Sequence, residues 1–104
     1  MIEPRTTRPT VTVRDDPARR VFLAVLDDGT EAGGAYYRRR DGVVTFTHTE
    51  VSPEFEGQGV GSALAVGALG AVREAGERVV ALCPFIKAYI DRHPEQQDLL
   101  VDPS

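Results

Sequence analysis

Apolar and polar residues alternate through the first half of the chain, then apolar residues recur every three or four positions through much of the second. Val11 and Val13 alternate with Thr10, Thr12 and Arg14, predicting a strand over residues 10–15 that Asp16-Pro17-Ala18 breaks. Residues 19–26 are apolar on both alternations, the pattern of a central strand. Asp27-Asp28-Gly29 and Asp41-Gly42 are hairpin signals. They bracket a third strand over 31–40 and open a fourth over 43–51. Gly33-Gly34 inside the third strand points to a bulge or a close backbone contact. The first half therefore reads as a four-stranded antiparallel meander. Counting by twos along the fourth strand puts Val44, Phe46, His48 and Glu50 on one face.

The period changes after Val60. Val60, Leu64, Ala68, Val72 and Ala75 predict one narrow apolar face of a helix, which Gly76 caps. Gly67 and Gly70 within it would let the helix lie close on the sheet. Residues 78–82 return as a short buried strand. Because strand, helix and strand form a right-handed crossover, this fifth strand should run parallel to the fourth. Cys83-Pro84 opens a second helix, with proline at its first position. His93-Pro94 ends it, and only Leu99-Leu100-Val101 is sticky in the tail. The class is α/β of the α+β kind, with residues 1–9 a flexible leader and 10–104 one domain.

Composition narrows the function. At 104 residues the chain has room for one core, and a 41% hydrophobic, 27% charged make-up is that of a soluble globule. A net charge of −4 argues against a nucleic-acid surface. Three successive arginines, Arg38, Arg39 and Arg40, cannot form one patch on a strand and read as a solvated strand end. No apolar run approaches the ~18 residues of a membrane span, and no signal-peptide pattern opens the chain. The lone Cys83 excludes an internal disulfide and suggests a reducing compartment, so the cytoplasm is the expected location. No metal-ligand spacing is present.

The chemistry concentrates between the fourth strand and the first helix. Gly57, Gly59 and Gly61 alternate there, and a glycine-rich loop that opens a helix presents unpaired amides and a positive dipole end to an anion. A P-loop is excluded because the only lysine is Lys87. The dinucleotide fingerprint is excluded because Ser62 or Leu64 falls where its last glycine belongs. A phosphate ligand remains, as does a plain glycine turn ahead of a helix.

Phe46-Thr47-His48-Thr49-Glu50-Val51, Gly57-Gln58-Gly59-Val60-Gly61, Leu82-Cys83-Pro84-Phe85 and His93-Pro94-Glu95, in that order along the chain, resemble the GNAT superfamily of acyl-CoA N-acyltransferases. More narrowly, they are similar to its small YjdJ-like (minimal) subfamily with a Cys-Pro motif, over residues 11–101. The superfamily's loop pattern is Gln/Arg-x-x-Gly-x-Gly/Ala, and Glu56 stands where Gln or Arg is usual. Typical members also carry two acceptor-side helices between the first two strands, where this chain has only residues 16–18.

The resemblance implies a compact GNAT-like fold with the fifth strand splayed from the fourth, an open acceptor site, and acetyl transfer from acetyl-CoA to an amine of unknown identity. Backbone amides of Gln58, Gly59, Val60, Gly61 and Ser62 would hold the pyrophosphate, with Val51 pairing the pantetheine and Glu56 turned to solvent. Glu50 would be the base, with His48 second, and Cys83 would lie at the acetyl group. At a helix N-terminus Cys83 has amides that stabilise negative charge on sulfur. It is then an acetyl acceptor, an acid or polar wall, or simply a small buried residue. Glu50 could equally cap a strand end, His48 could be structural, and Tyr89 and His93 read first as packing and helix-ending residues. Two other functions stay open: an acyl-CoA-binding or sensing module without efficient catalysis, and an interaction domain. No metal, nucleic-acid or membrane partner is expected, and the chain should be a monomer or weak dimer.

Overall fold

The computed structural model describes residues 10–101. The leader expected over 1–9, and residues 102–104, lie outside the described part. Five strands form one sheet in the order of the sequence: β1 (Val11–Asp16), β2 (Val21–Leu26), β3 (Glu31–Arg40), β4 (Val43–Val51) and β5 (Arg78–Ala81). The first four pair antiparallel, and β5 joins β4 in parallel, as the crossover rule requires. The crossover is α1 (Val60–Glu74), and α2 (Pro84–Arg92) follows β5.

Both helices cover the same face of the sheet. Phe22, Tyr37, Val44 and Phe46 meet Ala68, Leu69 and Val72 of α1 and Ile86 and Ile90 of α2 in one cluster. The apolar stripe of α1 is wider than predicted, since Ala65 and Leu69 join it while Ala75 is exposed. Gly67 explains how α1 sits so low: a Cβ there would fall 2.5 Å from the Val13 side chain. Phe46 is fully buried, with its ring 6.0 Å from that of Phe22 and 6.4 Å from that of Tyr37. Phe46→Ala should destabilise the domain by about 3–5 kcal/mol, most of the stability of a chain this size. A thermal melt lowered by less than about 5 °C would show that the site collapses or that the ring carries little.

One prediction about β4 is overturned. Tyr37 pairs with Phe46, but its neighbour Tyr36 pairs with His48, so Thr47 is an extra residue bulged out of the β3–β4 ladder. A bulge shifts the alternation by one. Val44 and Phe46 therefore face the helices, whereas His48 and Glu50 turn to the opposite face. Thr49 and Val51 take the helix face instead, with Val51 packing beside Val60 and Leu64.

The sheet forks at Phe46. Pairing between β4 and β5 runs from Val43 with Arg78 to Phe46 with Ala81, and then stops. The amides of Leu82 and Cys83 both donate to the Phe46 carbonyl, at 3.0 and 2.9 Å. Beyond this point, among the described residues, the outer edge of β4 has no strand beside it, and Leu82 is 66% exposed. On its other side β5 is strapped by the chain's tail. A 3-10 helix (Pro94–Leu99) buries Leu99, Leu100 bridges to Val79, and the Val101 amide donates to the Val79 carbonyl. The Arg78 guanidinium holds the Leu99 and Leu100 carbonyls, and Arg73 holds Asp98. The sequence pattern had marked only three sticky residues here.

At the far end of the sheet Arg39 pairs with Asp15 at 3.2 Å and Glu77 at 3.0 Å, on the same face as Tyr37. Burial, and then a hydrogen bond to Asp15, push the Tyr37 phenol up to about 12, so it stays a neutral donor to that carboxylate.

Candidate functional site

After β4 the chain makes a 3-10 turn (Pro53–Phe55) and reaches α1 through the glycine loop. Gly59 is the N-cap of α1 in the left-handed conformation, φ 85°, and Gly57 has φ 81°. Side chains with a Cβ avoid that region, so Gly57 and Gly59 meet a backbone requirement. Among the described residues the amides of Gly59, Val60, Gly61 and Ser62 donate to no backbone carbonyl, and the first turn-closing bond runs from Ala63 to the Gly59 carbonyl at 3.0 Å. Gln58 does not belong with them. Its amide donates to the Phe55 carbonyl at 3.3 Å and its side chain to the Glu54 carbonyl, so the fan of free amides starts one residue later than expected.

Gly59, Val60 and Gly61 border a cavity of ≈ 300 Å³ between the loop, the free edge of β4 and the ring of Phe85 on α2; Ser62 does not line it. Phe85 packs close to the loop, because a Cβ on Gly61 would lie 3.0 Å from its ring. Thr49 and Val51 form the β4 wall. Behind that wall Cys83 is 1% exposed, and its Sγ lies 3.3 Å from the Thr49 hydroxyl. Cys83 is the N-cap of α2, as expected, yet its thiol reaches the cavity only by way of Thr49. Ellman's reagent should therefore modify native Cys83 about 100-fold more slowly than the unfolded chain, because local opening must come first. Equal rates with and without denaturant would mean the thiol is open to solvent.

A second, wider groove of ≈ 580 Å³ lies on the other side of the β4 edge and shares Thr49, Val51 and Glu56 with the first. Its floor is the sheet face turned from the helices, with Leu23, Gly34 and Tyr36. Gly33 allows the β3–β4 edge to close up, since a Cβ there would lie 2.6 Å from the Glu50 carbonyl oxygen. Glu50 lines this groove, and its Oε2 lies 3.3 Å from Nε2 of His48. The His48 ring stacks on Tyr36 with centroids 4.5 Å apart and planes 6° from parallel. Both members of the pair are well exposed, His48 at 53% and Glu50 at 67%. Glu56 is exposed as expected, but it faces both cavities rather than leaving the site.

The structure thus brings Glu50 and His48 within 3.3 Å of each other, sets Val51 in the dividing wall, and keeps Cys83 on the opposite side of β4 from that pair. Three contributors escaped the sequence reading: Thr49, Tyr36 and Phe85. The bulge at Thr47 hid the first two, because without it Thr49 faces away from Cys83 and Tyr36 cannot be matched to His48. Tyr89 is buried against His93, ring centroids 3.9 Å apart, and His93 Nδ1 lies 2.7 Å from the Tyr89 carbonyl oxygen. That arrangement ends α2. Among the described residues no cluster of His, Cys, Asp and Glu could hold a metal ion, and no helix is long and apolar enough to cross a membrane.

Residues 20–99 match the sequence model of a family described as GCN5-related N-acetyl-transferase. The fold is similar to the solution NMR structure of a GCN5-like protein from Staphylococcus aureus. The TM-score is 0.64 at 25% identity, over 92% of this chain and 91% of that one. No protein of curated function matches the chain.

Proposed function

The chain belongs to the GCN5-related N-acetyltransferase family, and from that premise we propose that it transfers an acetyl group from acetyl-CoA to an amine. The observation that carries the reading is the fork at Phe46, which leaves one strand edge as the common wall of two cavities. The free amides of Gly59, Val60, Gly61 and Ser62 suit the diphosphate of the donor, since amides at a helix N-terminus favour an anion without needing a lysine. The unpaired edge around Val51 suits the pantetheine amides, which can hydrogen-bond as an added strand would. The acetyl end then reaches Thr49, and the acceptor comes from the open groove.

In the proposed reaction the amine nitrogen bonds to the acetyl carbon and the carbon–sulfur bond breaks. Glu50, with His48 beside it, takes the proton released by the amine. The departing thiolate takes a proton from the polar wall that Thr49 and Cys83 form. A sulfur only 1% exposed favours direct transfer over an acetyl-cysteine intermediate, which would need Cys83 to swing past Thr49.

The exposure of His48 and Glu50 favours a second reading, an acyl-CoA-binding module with little chemistry of its own, because a solvated base gains little from the site. Isothermal titration with acetyl-CoA and thiol release with a panel of amines separate the two. Binding with amine-dependent thiol release is expected. Binding without release would leave the binding module, and absence of binding would remove both.

A further inference from the structure

Glu56 is where the loop departs from the family's usual Gln or Arg, and it is also one of the residues that border both cavities. A carboxylate offers a diphosphate only repulsion, so its use lies on the acceptor side. The charges of the groove are unequal there. Glu31 is neutralised by Arg19, whose guanidinium reaches both of its carboxylate oxygens at 3.2 and 3.3 Å. Glu50 has only His48 beside it, and Glu56 forms no ion pair among the described residues. The groove is also far roomier than one ammonium group needs.

We propose that Glu56 selects the acceptor: it binds a second positive charge on an amine whose reacting nitrogen approaches Glu50, with the acetyl end arriving at the shared Thr49 wall. The inference rests on the acyl-transfer reading and names its substrate class, an ammonium compound carrying another cation a few carbons away. That chemistry has two sources, a free polyamine or a lysine next to a basic residue in a peptide.

Titration calorimetry on the full chain tests it, with spermidine, a peptide holding two adjacent lysines, and n-butylamine as probes. Wild type is compared with Glu56→Gln and with Glu74→Gln, a control at the exposed end of α1. One dication should bind about tenfold more tightly than butylamine, and whichever does identifies the source. That preference should fall at least about fivefold in Glu56→Gln and survive in Glu74→Gln. No preference in wild type, a preference kept in Glu56→Gln, or an equal loss in Glu74→Gln would overturn the proposal. Glu56-dependent binding with no thiol release from acetyl-CoA would instead sink the acyl-transfer reading, so the two failures are distinguishable.

Discussion

Glu50→Gln is expected to lower the rate of amine acetylation by about 100-fold at saturating acetyl-CoA, the ordinary contribution of a positioned base. Glutamine keeps the size of the side chain and its place in the groove but cannot hold the proton. The KM for acetyl-CoA should stay within about twofold, because the groove and the glycine-loop cavity lie on different sides of the β4 edge. His48→Gln should cost less, about tenfold, since the imidazole reaches the reacting nitrogen through or beside Glu50 at 3.3 Å. A Glu50→Gln enzyme retaining more than half its rate would take the carboxylate out of the chemistry. Steady-state thiol release with one good acceptor is sufficient to decide.

Gly59→Val should abolish useful acetyl-CoA binding while leaving a folded chain. Valine resists the left-handed backbone at Gly59, φ 85°, at a cost of about 1–3 kcal/mol that the chain relieves by reshaping the loop. Reshaping turns the following amides away from a common point. Losing two charge-assisted hydrogen bonds is worth about 3 kcal/mol, or roughly 100-fold in affinity. Titration calorimetry gives the affinity, and far-ultraviolet circular dichroism confirms the fold. Micromolar affinity retained by a folded Gly59→Val protein would move the diphosphate elsewhere.

Much of the fold was legible because local rules and global packing agree. Alternation located four strands, the three-to-four period located α1, and the crossover rule fixed β5 as parallel. The site was legible only in part. Gly57 and Gly59 are written plainly, since left-handed turns so close together favour glycine, while Gly61 is helical and instead leaves room for the Phe85 ring. The bulge at Thr47 carries no such mark. It is made by threonine, flanked by Phe46 and His48 that fit an ordinary strand, and one extra residue reversed the assignment of everything after it. Gln58 failed for a related reason: whether an amide is free depends on the carbonyl that folds back to it, here that of Phe55. The tail of the chain escaped because its hold on β5 is mostly through backbone groups and Arg78, which leave little hydrophobic pattern.

The shared carbonyl of Phe46 has a mechanical consequence. Two amides pivot on an oxygen whose own side chain is locked among Phe22, Tyr37 and the helices. The width of the gap is thus geared to the packing of one aromatic ring, and the strands cannot unzip further or close up without disturbing the main core cluster. Conservative substitutions among the neighbours of that ring, milder than Phe46→Ala and well away from any ligand, are expected to alter the gap while the chain stays folded.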